Sequence, residues 1–264
     1  MAHGFAATKE ARLDAYAERF VDKGMAALVF DYRHFGDSSG EPRQLVNIGR
    51  QHQDWQAAVE KARSLEGIDP ERIALWGSSN SGGHVVWVAA RDDRVAVVVA
   101  QVPHADGLAT LRNLEPLRAA KLTAAGIEDR ALSLIGRTHN MAIVGPPGST
   151  AAMTGNDAGT LYPGMYPDDY EFVNETPARI MLTYASYSPG RDASKVKCPI
   201  LVIVGRDDEI TPPDPARRIA DKAPQGTLLE FDGGHFDIYR GDVFFAVVRE
   251  EANFLEAGLQ APAA

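Results

Sequence analysis

The chain of 264 residues holds a single cysteine, Cys198, so no internal disulfide can form. No Cys/His cluster has the spacing of a zinc site. Thiol poverty of this kind fits a reducing compartment. No apolar run nears the ~20 residues needed to cross a bilayer; the longest, such as Val95–Val102, fall far short. The opening Met-Ala-His-Gly-Phe has neither the charged nor the apolar region of a secretory leader, and the expectation is a cytoplasmic protein. No block of Lys/Arg interrupts a net charge of −9, from 27 basic and 36 acidic residues. Nucleic acid and anionic membrane are therefore not expected partners. The pairs Asp92-Asp93 and Asp168-Asp169 lack the ligand spacing of a calcium loop, so neither metal nor cofactor is expected. Internal repeats are absent, and the only biased stretch is the Ala/Pro tail Ala261–Ala264, expected to fray.

What is present is an ordinary globular composition, 45% hydrophobic and 24% charged. Continuous apolar runs at Met25–Tyr32, Arg72–Trp76, Val95–Val102 and Pro199–Val204 read as strands buried on both faces, with Thr227–Phe231 a weaker fifth. Helical spacing of apolar positions marks Lys9–Asp22, Ile48–Ser64, Ser81–Ala90, Pro215–Lys222 and Val243–Ala257. Strands alternating with helices predict an α/β fold, a mostly parallel sheet with helices on both faces. One stretch, about residues 107–196, breaks the alternation with many Gly and Pro and several helical segments. A structureless loop of that length is not tolerated in a compact domain. The expectation is one domain over residues 1–264 carrying this stretch as a helical cap.

Three positions carry chemistry. In Arg72–His84 (RIALWGSSNSGGH) a strand runs into a small-residue turn and then a helix, the setting of a nucleophile elbow around Ser79. Gly77 and Ser81 fill the positions two before and two after, which must be small; Ser81 stands where the usual pattern has Gly. A phosphate loop at the helix start is the alternative, but it lacks the Walker lysine and G-x-G-x-x-G. A second strand ends at Gly205 and delivers Asp207 and Asp208 into the next loop. His235 follows the last strand in Gly-Gly-His-Phe. Singly, the aspartates read as a turn or cap and the histidine as a loop residue. Jointly, each falls past the C-terminal end of a strand, where open α/β sheets keep their sites.

In the order Ser, Asp, His, these segments resemble the α/β-hydrolase superfamily, in particular its serine esterase and dienelactone-hydrolase-like group. HGFAATKE resembles its His-Gly oxyanion loop, and DYRHFGDSSG (Asp31–Gly40) its D-x-R-x-x-G-x-S segment. WGSSNSGGH, VGRDDEITPP and GGHFDIY match the elbow, acid and histidine motifs, the likeness covering most of Met1–Leu259. The resemblance implies Ser79 as nucleophile, His235 as general base, and Asp208, three residues after Gly205, as the orienting acid, with Asp207 second choice. It implies an oxyanion hole from the backbone N–H groups of Phe5 and Asn80. Ser at the elbow, rather than Cys or Asp, sets the chain apart from thiol dienelactone hydrolases, haloalkane dehalogenases and epoxide hydrolases. Cys198 reads as structural.

His104 either lines the pocket or caps a loop. His34 and Arg33 are expected to hold their own loop, and His52 and His84 to be structural. Tyr162, Tyr166, Tyr170 and Phe172 would form a pocket or a cap core. The usual N-terminal strands are missing from the pattern, including the one between Met25–Tyr32 and Arg72–Trp76. A longer natural frame, closure of the two flanking strands, or a strand from another chain would account for it. The expected activity is hydrolysis of carboxylic esters, with thioesters and lactones as related substrates, by a protein whose partner is a small-molecule ester and for which a homodimer is open. The alternatives are a lyase or cyclase using His235 as base, and a catalytically weak binding protein.

Overall fold

Val, Ile and Leu dominate four runs that pair into one parallel sheet, because side chains of this kind are content on a surface covered from both sides. The computed structural model describes residues 1–155 and 158–260; the tail at 261–264 lies outside the described residues. Helix α1 (Leu13–Val21) and helix α2 (Ile48–Arg63) precede β1 (Ile73–Ser78), α3 (Asn80–Ala89) and β2 (Val95–Gln101). An insertion follows with α4 (Gly107–Arg112), α5 (Pro116–Ser133), the two-residue strands β3 (Asn140–Met141), β4 (Val144–Gly145), β5 (Met153–Thr154) and β6 (Thr176–Pro177), and the one-turn helices α6 (Ala158–Leu161) and α7 (Met181–Tyr184). The chain then returns through β7 (Ile200–Gly205), α8 (Pro213–Lys222), β8 (Gly226–Phe231) and α9 (Gly241–Gln260).

The sheet order is β1-β2-β7-β8, all parallel. Two helix groups cover it. Helices α3 and α8 pack on β1–β2 and β7–β8, with α2 against α3, while α9 packs on β1 and β2 and carries α1. Parallel register sends every strand's C-terminal end to the same edge, and Ser78, Gln101, Gly205 and Phe231 all stop there. The loops leaving that edge therefore meet, which is how residues 79, 208 and 235 come together.

One expected strand does not form. Met25–Tyr32 is extended but has no ladder; its bonds to the rest of the sheet region run through Met1, which donates to the Leu28 carbonyl at 2.8 Å and accepts from the Phe30 N–H at 3.3 Å. On its other side this N-terminal stretch pairs with β1, Ala2 opposite Gly77. Residues Met1–Ala2 thus stand between Met25–Tyr32 and β1, where the sequence pattern lacked a strand. Below them the two flanking segments have not closed together. They bound a cavity of about 430 Å³ lined by Met25, Leu28, Trp55, Ile73 and Leu75 among others. A strand needs a partner along its length; Met25 N–H bonds only the Phe20 carbonyl at the end of α1, and Ala26 and Ala27 have no backbone partner among the described residues.

Candidate active site

The turn after β1 forces Ser79 into φ 57°, ψ −115°, a conformation costly for any residue with a side chain. It closes because Gly77 has no Cβ: one placed there would lie 2.3 Å from the Ser81 carbonyl oxygen. Gly4 does the same from the N-terminal loop, letting its backbone approach the Ser79 side chain, whose Cβ would sit 3.0 Å from an added methyl. Ser79 N–H donates to the Gln101 carbonyl at 2.8 Å, and the Ser79 carbonyl accepts from His104 N–H at 2.9 Å, pinning the turn to β2.

The strained turn aims Ser79 Oγ at His235 Nε2, 2.9 Å away, and His235 Nδ1 lies 2.7 Å from Asp208 Oδ2. All three side chains are buried. Asp208 is fixed in turn: Oδ1 accepts from Ile210 and Thr211 N–H at 2.8 and 2.7 Å, and Oδ2 accepts from the Thr211 hydroxyl at 2.8 Å. Asp207 is exposed and faces elsewhere, its backbone N–H on the Gly233 carbonyl, so the structure selects Asp208 as the partner of His235. An aspartate at Nδ1 leaves Nε2 free to accept the serine proton.

Phe5 lines the same cavity as Ser79 and Asn80 follows Ser79 in the chain, and neither backbone N–H has a protein acceptor among the described residues. Two such amides beside a nucleophile can hold a developing oxyanion. The sequence did not reveal what holds them. Tyr162 donates to the Phe5 carbonyl at 2.7 Å, Thr8 N–H donates to the Tyr166 hydroxyl, and Tyr170 pairs with the Thr8 hydroxyl. The insertion's aromatics thus clamp the Phe5 loop. Tyr184 of α7 donates to Asn80 Oδ1 at 3.3 Å, and its ring meets Phe5 edge-on at 5.4 Å. Ser81, the departure from Gly in the elbow pattern, donates to the His3 carbonyl and accepts from Tyr32, which accepts from Trp55 Nε1 at 2.6 Å. The hydroxyl that Gly would lack ties the elbow to the N-terminal loop.

The histidines sort clearly. His84 and Asn80 share the Gln51 side chain, and His84 Nδ1 lies 2.6 Å from the Tyr187 hydroxyl, which also reaches His52. His104 lines the cavity beside Ser79, and its Nε2 lies 3.2 Å from the Tyr187 carbonyl. Burial drives the His104 and His52 pKa values down to about 4. The His34 backbone holds its own loop, donating to the Ser39 carbonyl and accepting from Gln44 N–H, and Arg33 Nε and His34 Nε2 also bond Asp54 and Arg50 of α2. Cys198 is a thiol pushed up to about 11 by burial, far from the nucleophilic range.

Ser79 opens onto a cavity of about 540 Å³ between sheet edge and insertion. Leu111, Leu114, Leu122, Met153, Met181 and Ile210 make most of its wall apolar. Arg118 adds a guanidinium held by the carbonyls of Ser149, Ala151 and Ala152. The size lies in the roughly 300–1,000 Å³ range of small-molecule sites. In the described residues no helix is long and apolar enough to cross a membrane.

The sheet, the elbow and the loops at its C-terminal edge define an α/β hydrolase. A family model described as serine aminopeptidase, S33, matches residues 1–240, and the chain belongs to this family. The quorum-quenching protein AidA of Acinetobacter baumannii is 41% identical over 257 residues, covering 97% of this chain and 84% of the relative. Thiohydrolase aneE of Aspergillus aculeatus is 29% identical over 273 residues, covering 97% and 84%. Among solved structures, DcsB in complex with a substrate analogue superimposes with TM-score 0.82 at 26% identity, over 98% of this chain and 89% of that one. The α/β hydrolase GrgF from Penicillium gives TM-score 0.80 at 23% identity, over 99% and 89%, a likeness of fold.

Proposed function

We propose that this hydrolase cleaves carboxylic esters, with thioesters and lactones in range, through an acyl-enzyme on Ser79. The observation that carries the reading is the continuous chain Ser79–His235–Asp208 opening into an apolar cavity. Ser79 Oγ attacks the substrate carbonyl while His235 Nε2 takes its proton. Asp208 keeps His235 in the tautomer with Nδ1 protonated and stabilises the imidazolium. The Phe5 and Asn80 N–H groups receive the oxyanion, and His235 returns the proton to the departing alcohol, thiol or lactone oxygen. Water then repeats the sequence on the acyl-enzyme. The insertion serves as the cap whose side chains select the acyl group. The relative named a thiohydrolase supports a thioester as one substrate class, since the acyl half of the reaction is common to both.

The test pairs a fluorophosphonate probe with p-nitrophenyl esters from acetate to decanoate, on the wild type and Ser79→Ala. Labelling should vanish in Ser79→Ala and kcat should fall by about 10⁴-fold or more. The apolar cavity should favour medium chains over acetate in kcat/KM. A folded wild-type protein that is neither labelled nor active overturns the reading.

A further inference from the structure

Helix α5 turns an apolar face to solvent. Leu117 is 68% exposed, Ile127 58%, Leu134 78% and Ile135 69%, and Pro116, Ala120, Ala124 and Ala131 are exposed beside them. At 100° per residue the positions from 116 to 131 share one stripe along the helix, and Leu134 at the C-cap and Ile135 in the turn beyond follow it. The opposite face is already used: Leu122 is buried, Gly126 packs under Leu182, and Asp129 is fully covered with Arg179 on it. An exposed apolar stripe of this length on a water-facing helix marks an interaction surface.

The stripe is symmetric about its own centre. Pairing residue i with residue 251 − i sets Pro116 against Ile135, Leu117 against Leu134, Ala120 against Ala131 and Ala124 against Ile127. Every apolar position thus meets another apolar position when the helix is laid antiparallel on a copy of itself. Ala124 faces Ile127 at the centre and Ala120 faces Ala131 on either side of it, with Leu117 against Leu134 toward the ends. Lys121 and Glu128 lie on the same flank, two residues off that register. In an antiparallel pair each lysine faces the other copy's glutamate. Only a twofold partner exploits this symmetry, since a lipid surface or an unrelated protein has no use for it.

We infer that a second copy of this chain docks on α5, forming a twofold dimer through antiparallel α5 helices. The face is small. A helix of 18 residues spans about 27 Å and is about 10 Å wide, so the face offers on the order of 300 Å² per partner, below the roughly 800 Å² of a standard interface. The dimer therefore dissociates on dilution, with a Kd on the order of micromolar. Because Arg118 and Leu122 of the same helix line the cavity, the dimer also braces one cavity wall.

Sedimentation velocity from about 1 to 200 µM should show the wild-type chain moving from monomer to dimer, and Ile127→Glu should remain monomeric with an unchanged melting temperature. Register is tested by cysteine pairs in a Cys198→Ser background. The double variant Ala120→Cys/Ala131→Cys should crosslink on mild oxidation, whereas each single variant, its two sulfurs some 16 Å apart along the axis, should not. A wild type monomeric at 200 µM overturns the inference, whether or not it binds phosphatidylcholine vesicles instead. So does a dimer untouched by Ile127→Glu, or crosslinking by the single variants alone. None of these readouts depends on catalysis, so failure of the hydrolase reading would show separately.

Discussion

Tyr184 illustrates how much of the site rests on residues that do no chemistry. Its hydroxyl reaches Asn80 Oδ1, its ring packs on Phe5, and it lines the cavity, so one cap side chain touches both candidate oxyanion donors. Burial pushes its pKa above the ordinary tyrosine value, which keeps the hydroxyl protonated and donating. Removing only that oxygen, as Tyr184→Phe, preserves the ring packing and loses one neutral hydrogen bond of about 1 kcal/mol. If the bond steadies Asn80, kcat on a short ester should fall about 5-fold with KM within twofold of wild type. Equal changes in kcat and KM, or none, would limit Tyr184 to wall packing.

At the scale of elements, the elbow is the junction on which strand, turn and helix agree. Gly77→Ala would set a methyl against the Ser81 backbone, which cannot move without disturbing α3. A loss of about 3 kcal/mol or more in urea unfolding is expected, at the upper end of overpacking effects. Gly164→Ala, with nothing within 4 Å of its added methyl, should be nearly neutral and serves as the control. The elbow was legible because its requirement is local: small residues around Ser79 between an apolar run and a helix. The same holds for β2 and β7, whose valines and isoleucines need no distant partner to announce a buried strand. Met25–Tyr32 misled because its composition suits a strand but pairing depends on what lies beside it. Tyr162 on Phe5 was hidden for a related reason: the contact spans 157 positions, and no periodicity encodes a contact that only the folded chain creates.

For the molecule as a whole, buried titratable groups set opposing slopes of stability with pH. His3, His52 and His104 are each driven to about 4 by burial, and His84 further down by burial and by neighbouring His52 and His104. The unfolded chain takes up their protons near pH 6.5, so it binds more protons than the folded one, and stability falls as pH drops from about 6.5 toward 4. Glu251 acts the other way. It is fully buried on α9 among Tyr16, Trp76 and Tyr239, neither carboxylate oxygen has a partner among the described residues, and burial raises its pKa well above the usual value. The folded state therefore keeps a proton that the unfolded chain releases above about pH 4.3, and stability declines as pH rises past that point. Glu251→Gln keeps the shape and has no proton to lose. Its melting temperature should match the wild type at pH 4 and exceed it by a margin that widens from pH 6 to pH 8. A margin that stays constant with pH would mean that Glu251 ionises in the folded protein as it does in the unfolded chain, and that burial does not hold its proton.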